Sequence, residues 1–155
     1  TATDKVSLFA GVRKLSDAKR ALVVELGNNQ PQAFKVFAPD IVGSPTYSAY
    51  SGPIGLGSLT QFVAPSSDVL TVKSDILTDT LKLWVGGNFQ ASSTQDQGTG
   101  SYGNYPLYIG RRGGTSLPFN GHLYSLISIG KLVSGNETVA IEKELAKRVG
   151  VTLNV

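Results

Sequence analysis

The sequence contains no cysteine and only one histidine among its 155 residues. The absence of cysteine excludes a disulfide framework, a thiolate metal site and a cysteine nucleophile. A single histidine also excludes any site in which one chain supplies two imidazole ligands. No apolar run approaches the roughly 18 residues needed to cross a bilayer, and no signal-peptide pattern opens the chain. We therefore expect no membrane insertion.

Charge is also scarce, since charged residues make up 16% of the chain and the formal net charge is +3. An excess this small, without a clustered basic region, predicts no nucleic-acid partner. The hydrophobic content of 41% is that of a globular protein. The length suits a single domain over residues 1–155. Because no initiating methionine is present and the chain starts almost within a strand, we expect it to be part of a longer protein.

What the sequence does have is an apolar pattern of period two. In "DKVSLFAGVRKL", alternate residues share one face of a strand: Val6, Leu8, Ala10 and Val12. Similar runs predict about eight or nine short strands separated by glycine-rich turns. The charged turn 16–20 favours a hairpin between the first strand and "ALVVELG". This pattern is typical of an all-β sandwich.

One segment, "SGNETVAIEKELAKRVG", departs from the alternation. Its apolar residues four apart form one helical stripe: Ile141, Leu145 and Val149. Ser134 and Glu137 have the spacing of a capping box, and Gly150 stands where a left-handed residue ends a helix. The spacing predicts a helix that packs its stripe on the sandwich, and "VTLNV" is expected to return as an edge strand.

Aromatic residues are the first candidates for a ligand site. The apolar face of a sugar stacks on a flat ring while nearby polar groups fix its hydroxyls. Tyr102 and Tyr105 belong to a long polar loop, 92–105, where a tyrosine has little core to fill. Trp84 alternates with Leu83 and Val85 and so points to the opposite face, where either core packing or ligand stacking would explain it.

The stretch "GRRGGTS" contributes two arginines, Arg111 and Arg112. Guanidinium groups and exposed backbone N–H groups in glycine-rich turns suit oxyanions. The stretch lacks the Gly-Lys-Ser/Thr ending of a P-loop, and it leads through Pro118 into another strand. A phosphate cradle is therefore excluded. The two arginines form either a solvated turn or contacts to the acidic groups of a sugar.

No catalytic residues stand out in this sequence, and we expect no enzymatic activity. A sandwich-fold glucanase would carry a Glu-x-Asp-x-x-Glu strand, which places its acids on one face. No such triplet exists here, and Glu25 is the only glutamate in a predicted strand. The single histidine, His122, follows an Asn-Gly pair at the start of a strand and suggests an ordinary strand residue.

No cofactor is expected, although calcium is left open. Calcium takes six to eight oxygen ligands, often from loop carboxylates. Four aspartates flank predicted strands: Asp68, Asp75, Asp79 and Asp96. None of them belongs to an Asp-x-Asp-x-Asp-Gly loop.

The C-terminal half resembles the end of a concanavalin A-like lectin/glucanase domain of the laminin-G-like kind. In that family a "lYvdG" hairpin is followed by "l-x-iG", then "pFnGxlxxlxiy" and a short closing helix. Three segments of this chain match these motifs: 83–87, 107–110 and 118–121. The resemblance implies a jelly-roll β-sandwich of two antiparallel sheets with one C-terminal helix. On it, the stretch 108–126 consists of two strands and the turn that joins them.

The opening, "ATDKVSLFAGVRKLSDAKRALVVELG", looks like the N-terminal half of phage-encoded members found in virion or tail proteins. The family includes lectins, adhesion modules, glycosidases and structural domains. The resemblance implies a non-enzymatic tail-fibre or virion module, exposed on the particle, that binds a bacterial surface glycan. The site residues we expect are the aromatic and basic candidates above: Trp84, Tyr102, Tyr105, Arg111 and Arg112.

Two alternatives stay open. One is a purely structural domain for capsid decoration or fibre assembly, which would have other virion proteins or further copies of this chain as its partners. The other, less supported by the residues, is a glycoside hydrolase.

Overall fold

The computed structural model describes residues 3–153 and shows two antiparallel five-stranded sheets with one helix. The strands and helix in chain order are β1 (Lys5–Lys14), β2 (Leu22–Leu26), β3 (Phe34–Phe37), β4 (Ser48–Ser51), β5 (Ile54–Gly57), β6 (Ser66–Asp75), β7 (Thr80–Val85), β8 (Asn88–Ser93), β9 (Leu107–Ile109), β10 (Gly121–Ile129) and α1 (Gly135–Val149). One sheet, the helix sheet, has the order β10-β1-β6-β7-β8, and the other, the open sheet, has the order β5-β4-β3-β2-β9.

The two sheets face each other across one apolar core. The alternate residues of β1 identified from the sequence all belong to it, together with Phe34 and Val36 of β3 and Leu81 and Leu83 of β7. These residues alternate along their strands because successive side chains point to opposite faces. The predicted jelly-roll sandwich of two antiparallel sheets with one helix is confirmed.

The predicted hairpin between the first two strands is wrong. β1 pairs with β10 and β6 in the helix sheet, whereas β2 pairs with β3 and β9 in the open sheet. The charged segment 16–20 therefore crosses from one sheet to the other. The ammonium of Lys14, which is fully buried, lies 2.6 Å from Oδ1 of Asp17 at this crossing. Alternation shows which residues of a strand face the core, but it does not show which strand is the neighbour.

The stretch 108–126 divides between the sheets in the same way. It contains the last two residues of β9, which is an edge strand of the open sheet, and most of β10, which is an edge strand of the helix sheet. The two strands and the connecting turn were predicted, but these strands do not pair with each other.

Helix α1 packs on the outer face of the helix sheet, against β1, β6 and β10. A second apolar cluster fills this contact: Phe9, Val69, Val133, Leu145, Ala146 and Val149. Gly11 permits the close approach, because a Cβ there would lie 2.7 Å from Cγ2 of Val149. The outer faces of β7 and β8 are not part of this contact. No helix in the described part of the chain is long and apolar enough to span a membrane.

Both ends of α1 have the predicted caps. Ser134 Oγ accepts from the Glu137 N–H at 3.2 Å, and Glu137 Oε2 accepts from the Ser134 N–H at 2.8 Å. Gly150 has φ of 78° and donates its N–H to Ala146 O. Residues 151–153 form no strand, which corrects that expectation for the described part of "VTLNV"; residues 154 and 155 lie outside the described residues.

Replacing the cap, Ser134→Ala, is expected to destabilise the protein by about 1 kcal/mol, because an N-terminal N–H of the helix loses its acceptor. Ser134→Asn is the matched control and should retain most of the stability, since asparagine also caps. The free energy of unfolding from urea titrations measures both. Equal stability of Ser134→Ala and the wild type would contradict a contribution from the cap.

Candidate functional site

The outer face of the open sheet carries a cluster of charged and aromatic side chains. The register places Glu25 beside Lys35 and Tyr108, and Lys35 beside Tyr50, on adjacent strands. Two arginines and an aspartate from the connections between strands complete the cluster. We call this surface the basic face and define it by six residues: Arg20, Glu25, Lys35, Asp40, Tyr50 and Arg112.

A buried ion pair forms the floor of the basic face on its β2 side. Glu25 is fully buried, and Arg112 donates to it from Nε at 3.1 and 3.2 Å and approaches it with Nη2 at 3.0 Å. The Asn29 N–H also donates to Glu25 Oε1, at 3.2 Å. A buried carboxylate needs such compensation, because its removal from water is costly. Arg112 is therefore held in one position before any ligand arrives.

A second ion pair lies beside it. Arg20 donates from Nε to Asp40 Oδ1 at 2.7 Å, and its Nη2 lies 2.6 Å from the same oxygen. The Tyr50 hydroxyl donates to the other oxygen, Asp40 Oδ2. Burial and the Asp40 carboxylate raise the pKa of Tyr50 to about 12, since both favour the neutral phenol.

Phe37 lies beneath these groups and is fully buried although it points outward from the sheet. The Arg20 guanidinium lies 4.4 Å from the centroid of its ring, and the Arg112 guanidinium lies 5.8 Å from it. The Tyr50 ring meets Phe37 edge-to-face at 5.6 Å between centroids. The two arginines therefore cover an apolar ring and flank it with positive charge.

Lys35 adds a third cation. Its ammonium donates to Asn29 Oδ1 at 3.0 Å. Burial lowers the pKa of Lys35, Glu25 opposes this shift, and the charges of Arg112 and Arg20 lower the pKa further. A cluster of three cations and two carboxylates leaves an excess of one positive charge on the basic face.

The Tyr50 ring lies flat on strand β5. A Cβ at Gly55, its cross-strand neighbour, would overlap the ring. Glycine at this position therefore allows the ring to lie against the backbone, while the Tyr50 hydroxyl reaches the Arg20–Asp40 pair.

The structure separates the residues predicted from the sequence. Arg112 belongs to the basic face, and the expectation of a solvated turn is wrong for it, because its side chain is only 17% exposed and its Nε and Nη2 face Glu25. Contact of Arg112 with a ligand stays a prediction. Arg111 is exposed, and its Nη1 donates to Gly114 O at 3.2 Å. Contact of Arg111 with a ligand stays a prediction.

The expectation that Tyr102 has little core to fill is wrong. Its side chain is only 4% exposed, its ring packs edge-to-face on Phe34, and its hydroxyl lies 2.7 Å from Ser51 Oγ. The polar loop folds over the end of the sandwich, and its backbone is tied to Thr3 by the Tyr102 N–H. Tyr102 therefore completes the core and offers no open ring for stacking.

Neither Tyr105 nor Trp84 is among the residues that define the basic face. Tyr105 is partly exposed, and its ring packs over Gly27 and Gly103. Trp84 is half-buried on the outer face of the helix sheet, opposite to Leu83 and Val85 as predicted. A role for either ring in binding stays a prediction.

Sequence reasoning missed Arg20, Lys35 and Tyr50 as parts of one site. Period two gives a signal for Lys35, because it alternates with the buried Phe34 and Val36 and so points outward. Arg20 and Asp40 lie on separate connections, and no local spacing links them. Their pairing depends on the order of strands in the sheet, which the pattern does not show.

Two of the four aspartates named above are bound to neighbouring protein groups, and calcium binding stays a prediction. Asp68 accepts from the Tyr47 hydroxyl and from Ser66, and Asp75 pairs with Lys5 at 3.1 Å. Among residues 3–153, no three histidine, aspartate or glutamate side chains come close enough to share a metal ion. His122 lies exposed on β10 and stacks on Tyr124.

No protein-family model matches the chain, and no curated protein matches it in sequence. Among solved structures, the CBM40 of Ruminococcus gnavus IT-sialidase, bound to α2,6 sialyllactose, aligns with a TM-score of 0.70 and 18% identity over 91% of this chain and 84% of that chain. A heptameric SAP-like pentraxin from Limulus polyphemus aligns with a TM-score of 0.70 and 6% identity over 91% of this chain and 70% of that chain. Domains LG4-5 of the mouse laminin α1 chain align with a TM-score of 0.65 and 10% identity over 88% of this chain and 38% of that chain. The chain therefore has the concanavalin A-like jelly-roll fold that the sequence motifs predicted.

Replacing Arg112 is expected to destabilise the protein strongly. Arg112→Gln leaves the buried Glu25 carboxylate without its cation, which costs about 3 kcal/mol in comparable buried pairs. The neighbouring, exposed Arg111→Gln is the matched control and should have little effect. Urea unfolding measures the free energies, and equal stability of the two variants would show that Glu25 does not depend on Arg112.

Tyr50 predicts a loss of stability in alkali. Its pKa rises from the ordinary 10.0 to about 12 in the folded protein, so its contribution to stability is complete below pH 10.0 and falls as pH rises towards 12. Tyr50→Phe cannot ionise and should lose less stability over this interval. Free energies of unfolding, measured for both proteins across it, test this, because other tyrosines contribute equally to both. Parallel pH curves would contradict the raised pKa.

Proposed function

We propose that the basic face binds an acidic sugar, and that the domain is a non-catalytic carbohydrate-binding module. The observation that carries this proposal is the convergence of Arg20 and Arg112 on the buried Phe37 ring, with Lys35 close enough for both of their charges to act on it. Three cations and two carboxylates on one sheet surface have a net charge of +1, which one further anion would neutralise. A carboxylate on a sugar supplies that anion.

The arginines retain donors for such a ligand. Arg20 and Arg112 both use Nε and Nη2 for Asp40 and Glu25, so Nη1 of each guanidinium points away from its carboxylate partner. A planar guanidinium matches a carboxylate well, and charge-assisted hydrogen bonds are roughly twice as strong as neutral ones. Because the two ion pairs already fix both side chains, binding costs little further side-chain entropy.

The remaining residues suit the rest of a sugar ring. The half-buried Tyr50 ring provides an apolar surface for C–H groups, and its hydroxyl is bound to the carboxylate that pairs with Arg20. Asp40 would accept a hydrogen bond from a sugar hydroxyl at one edge of this surface. At the other edge, the Lys35 ammonium, which also donates to Asn29 Oδ1, would donate one to the sugar. The arrangement favours a shallow site that binds the end of a glycan chain.

The comparisons support this class of ligand. CBM40 of Ruminococcus gnavus IT-sialidase is bound to α2,3 sialyllactose in one structure and to α2,6 sialyllactose in another. Sialic acid carries a carboxylate, which the excess positive charge of the basic face would attract. A terminal sialic acid or a related acidic sugar is therefore the ligand we propose.

We further propose that the module is carried on a phage particle and that its ligand is an acidic polysaccharide of the bacterial surface. The support for this finer statement is the resemblance of the N-terminal segment, 2–27, to phage-encoded members of the family. Single-site affinity at a shallow site is weak, so display of many copies would provide avidity.

The first test measures binding of the domain to 3′-sialyllactose, with lactose as the neutral control. The second displays the domain on a multivalent carrier and measures its binding to an array of acidic bacterial glycans. We expect binding to the acidic sugar alone. Arg20→Gln should weaken it roughly tenfold, because a charge-assisted hydrogen bond is lost. Arg13→Gln, which removes an exposed positive charge on β1, is the matched control and should leave the affinity unchanged.

Binding of lactose as tightly as sialyllactose, or an unchanged affinity in Arg20→Gln, would contradict the proposed site. A blank array from folded protein would instead favour a structural assembly domain. One observation supports that second function: the hydrogen-bonded loops 41–46 and 58–64 expose four large apolar side chains, Ile41, Val42, Leu59 and Val63. Self-association in sedimentation experiments would then be expected.

A further inference from the structure

The outer face of the helix sheet is only partly covered. Helix α1 contacts β10, β1 and β6 and leaves the outer surface of β7 and β8 open. Two aromatic rings and a lysine lie on this open strip. We call it the stacking face and define it by Lys82, Trp84 and Phe89, with Lys73 of β6 at its border.

The two rings form an open aromatic surface. Trp84 and Phe89 are cross-strand neighbours whose rings meet at 69° with centroids 5.6 Å apart. Phe89 is 56% exposed and Trp84 is half-buried. The inward positions of β7 are taken by leucines and a valine, so these rings contribute nothing to the central core. An exposed aromatic pair on a rigid sheet is suited to stack against the face of a sugar.

Positive charge accompanies the rings. Lys73 and Lys82 are directly opposite each other on β6 and β7, and like charges in that position repel. Lys73 is fixed, since its ammonium donates to Val133 O at 3.0 Å and to Thr138 Oγ1 at 2.6 Å and lies 5.8 Å from the centroid of Trp84. An anion between the two lysines would relieve the repulsion.

Lys82 is available for that anion. It is exposed, and among residues 3–153 no carboxylate lies within ion-pair distance of it. Asp75 also lines the cleft beside Trp84, but its carboxylate is only 8% exposed and is paired with Lys5 at 3.1 Å.

Burial lowers the pKa of Lys73 and Glu142 opposes this shift, but the Glu142 carboxylate is itself buried and accepts from Thr71 Oγ1 at 2.6 Å. The exposed charge that a ligand meets near the rings is therefore that of Lys82.

The spacing identifies the class of ligand. Lys82 and Trp84 are two residues apart on the same face of one strand. Their Cα atoms are therefore about 6.7 Å apart along the strand. A pyranose ring that stacks on Trp84 and Phe89 would place a carboxylate on its C5 carbon near the Lys82 ammonium. The adjoining cleft, about 220 Å³ in volume and bounded by Leu132, has room for one sugar unit.

We propose that the stacking face is a second sugar-binding site, and that it takes a hexuronic acid residue. It is on the opposite sheet from the basic face, so one domain would hold two glycan segments on its two outer surfaces. This inference does not rest on the function proposed for the basic face, because it uses none of the same residues.

The chain offers a direct test, since Trp84 is its only tryptophan. The Trp84 indole N–H therefore gives the single indole signal in a proton–nitrogen correlation spectrum. We would titrate the wild type with methyl β-glucuronide, using methyl β-glucoside as the neutral control. We expect a saturable shift of the indole signal with the glucuronide, and a roughly tenfold weaker response with the glucoside.

Variants at exposed positions assign the contacts without disturbing the core. Lys82→Gln should weaken glucuronide binding roughly tenfold, whereas Lys143→Gln, on the exposed side of α1, should leave it unchanged. Phe89→Ser should also weaken it, and Arg20→Gln on the basic face should have no effect on the indole signal.

Three results would overturn the proposal. In the first, glucuronide shifts the backbone signals of β2, β3 and β4 but not the indole signal. That result would contradict the second site and leave the proposal for the basic face intact. In the second, neither glucuronide nor sialyllactose shifts any signal from either surface, which would contradict both sites. An equal response to glucuronide and glucoside would exclude an acid-selective site.

Discussion

The strongest constraint on this molecule is that the central strands must bury alternate side chains between two sheets. That requirement fills the interior with apolar groups and leaves each sheet with an outer surface of its own. The helix sheet covers most of its outer surface with α1, which docks where Gly11 allows close contact. The open sheet has no such cover in the described residues and instead carries ion pairs. The two outer surfaces are therefore where we propose that ligands bind.

On the open sheet, the fold and the binding that we propose depend on the same groups. Phe37 points outward, and it is buried because Arg20, Arg112 and Tyr50 close over it. The arginines in turn keep their positions through carboxylates that are themselves largely buried. Charges held in this way are arranged before a ligand binds, which reduces the entropy that binding must overcome. The same dependence means that not every residue of the face can be changed without weakening the fold.

The sequence predicted features that depend on residues close together in the chain, and it did not predict contacts between distant segments. The period-two pattern identified the inward residues of β1, and the capping box and Gly150 identified both ends of α1. The orientation of Trp84 followed from the same alternation. The pairing of strands did not, and β1 and β2 proved to belong to different sheets. Tyr102 was misjudged because a polar loop folded back over the core, a contact that no local pattern encodes.

The basic face draws on two kinds of backbone. Glu25, Lys35 and Tyr50 come from strands, whereas Arg20, Asp40 and Arg112 come from the connections between them. Strands of a packed sandwich tolerate little change, while connections vary in length and sequence among related proteins. The strand residues are thus the conservative part of the basic face, and Arg112 is bound to them through its pair with the buried Glu25. The connections that carry Arg20 and Asp40 are the adaptable part. Related domains with other residues in these two connections would differ in the ligand that we propose for this face and keep the same sheet beneath.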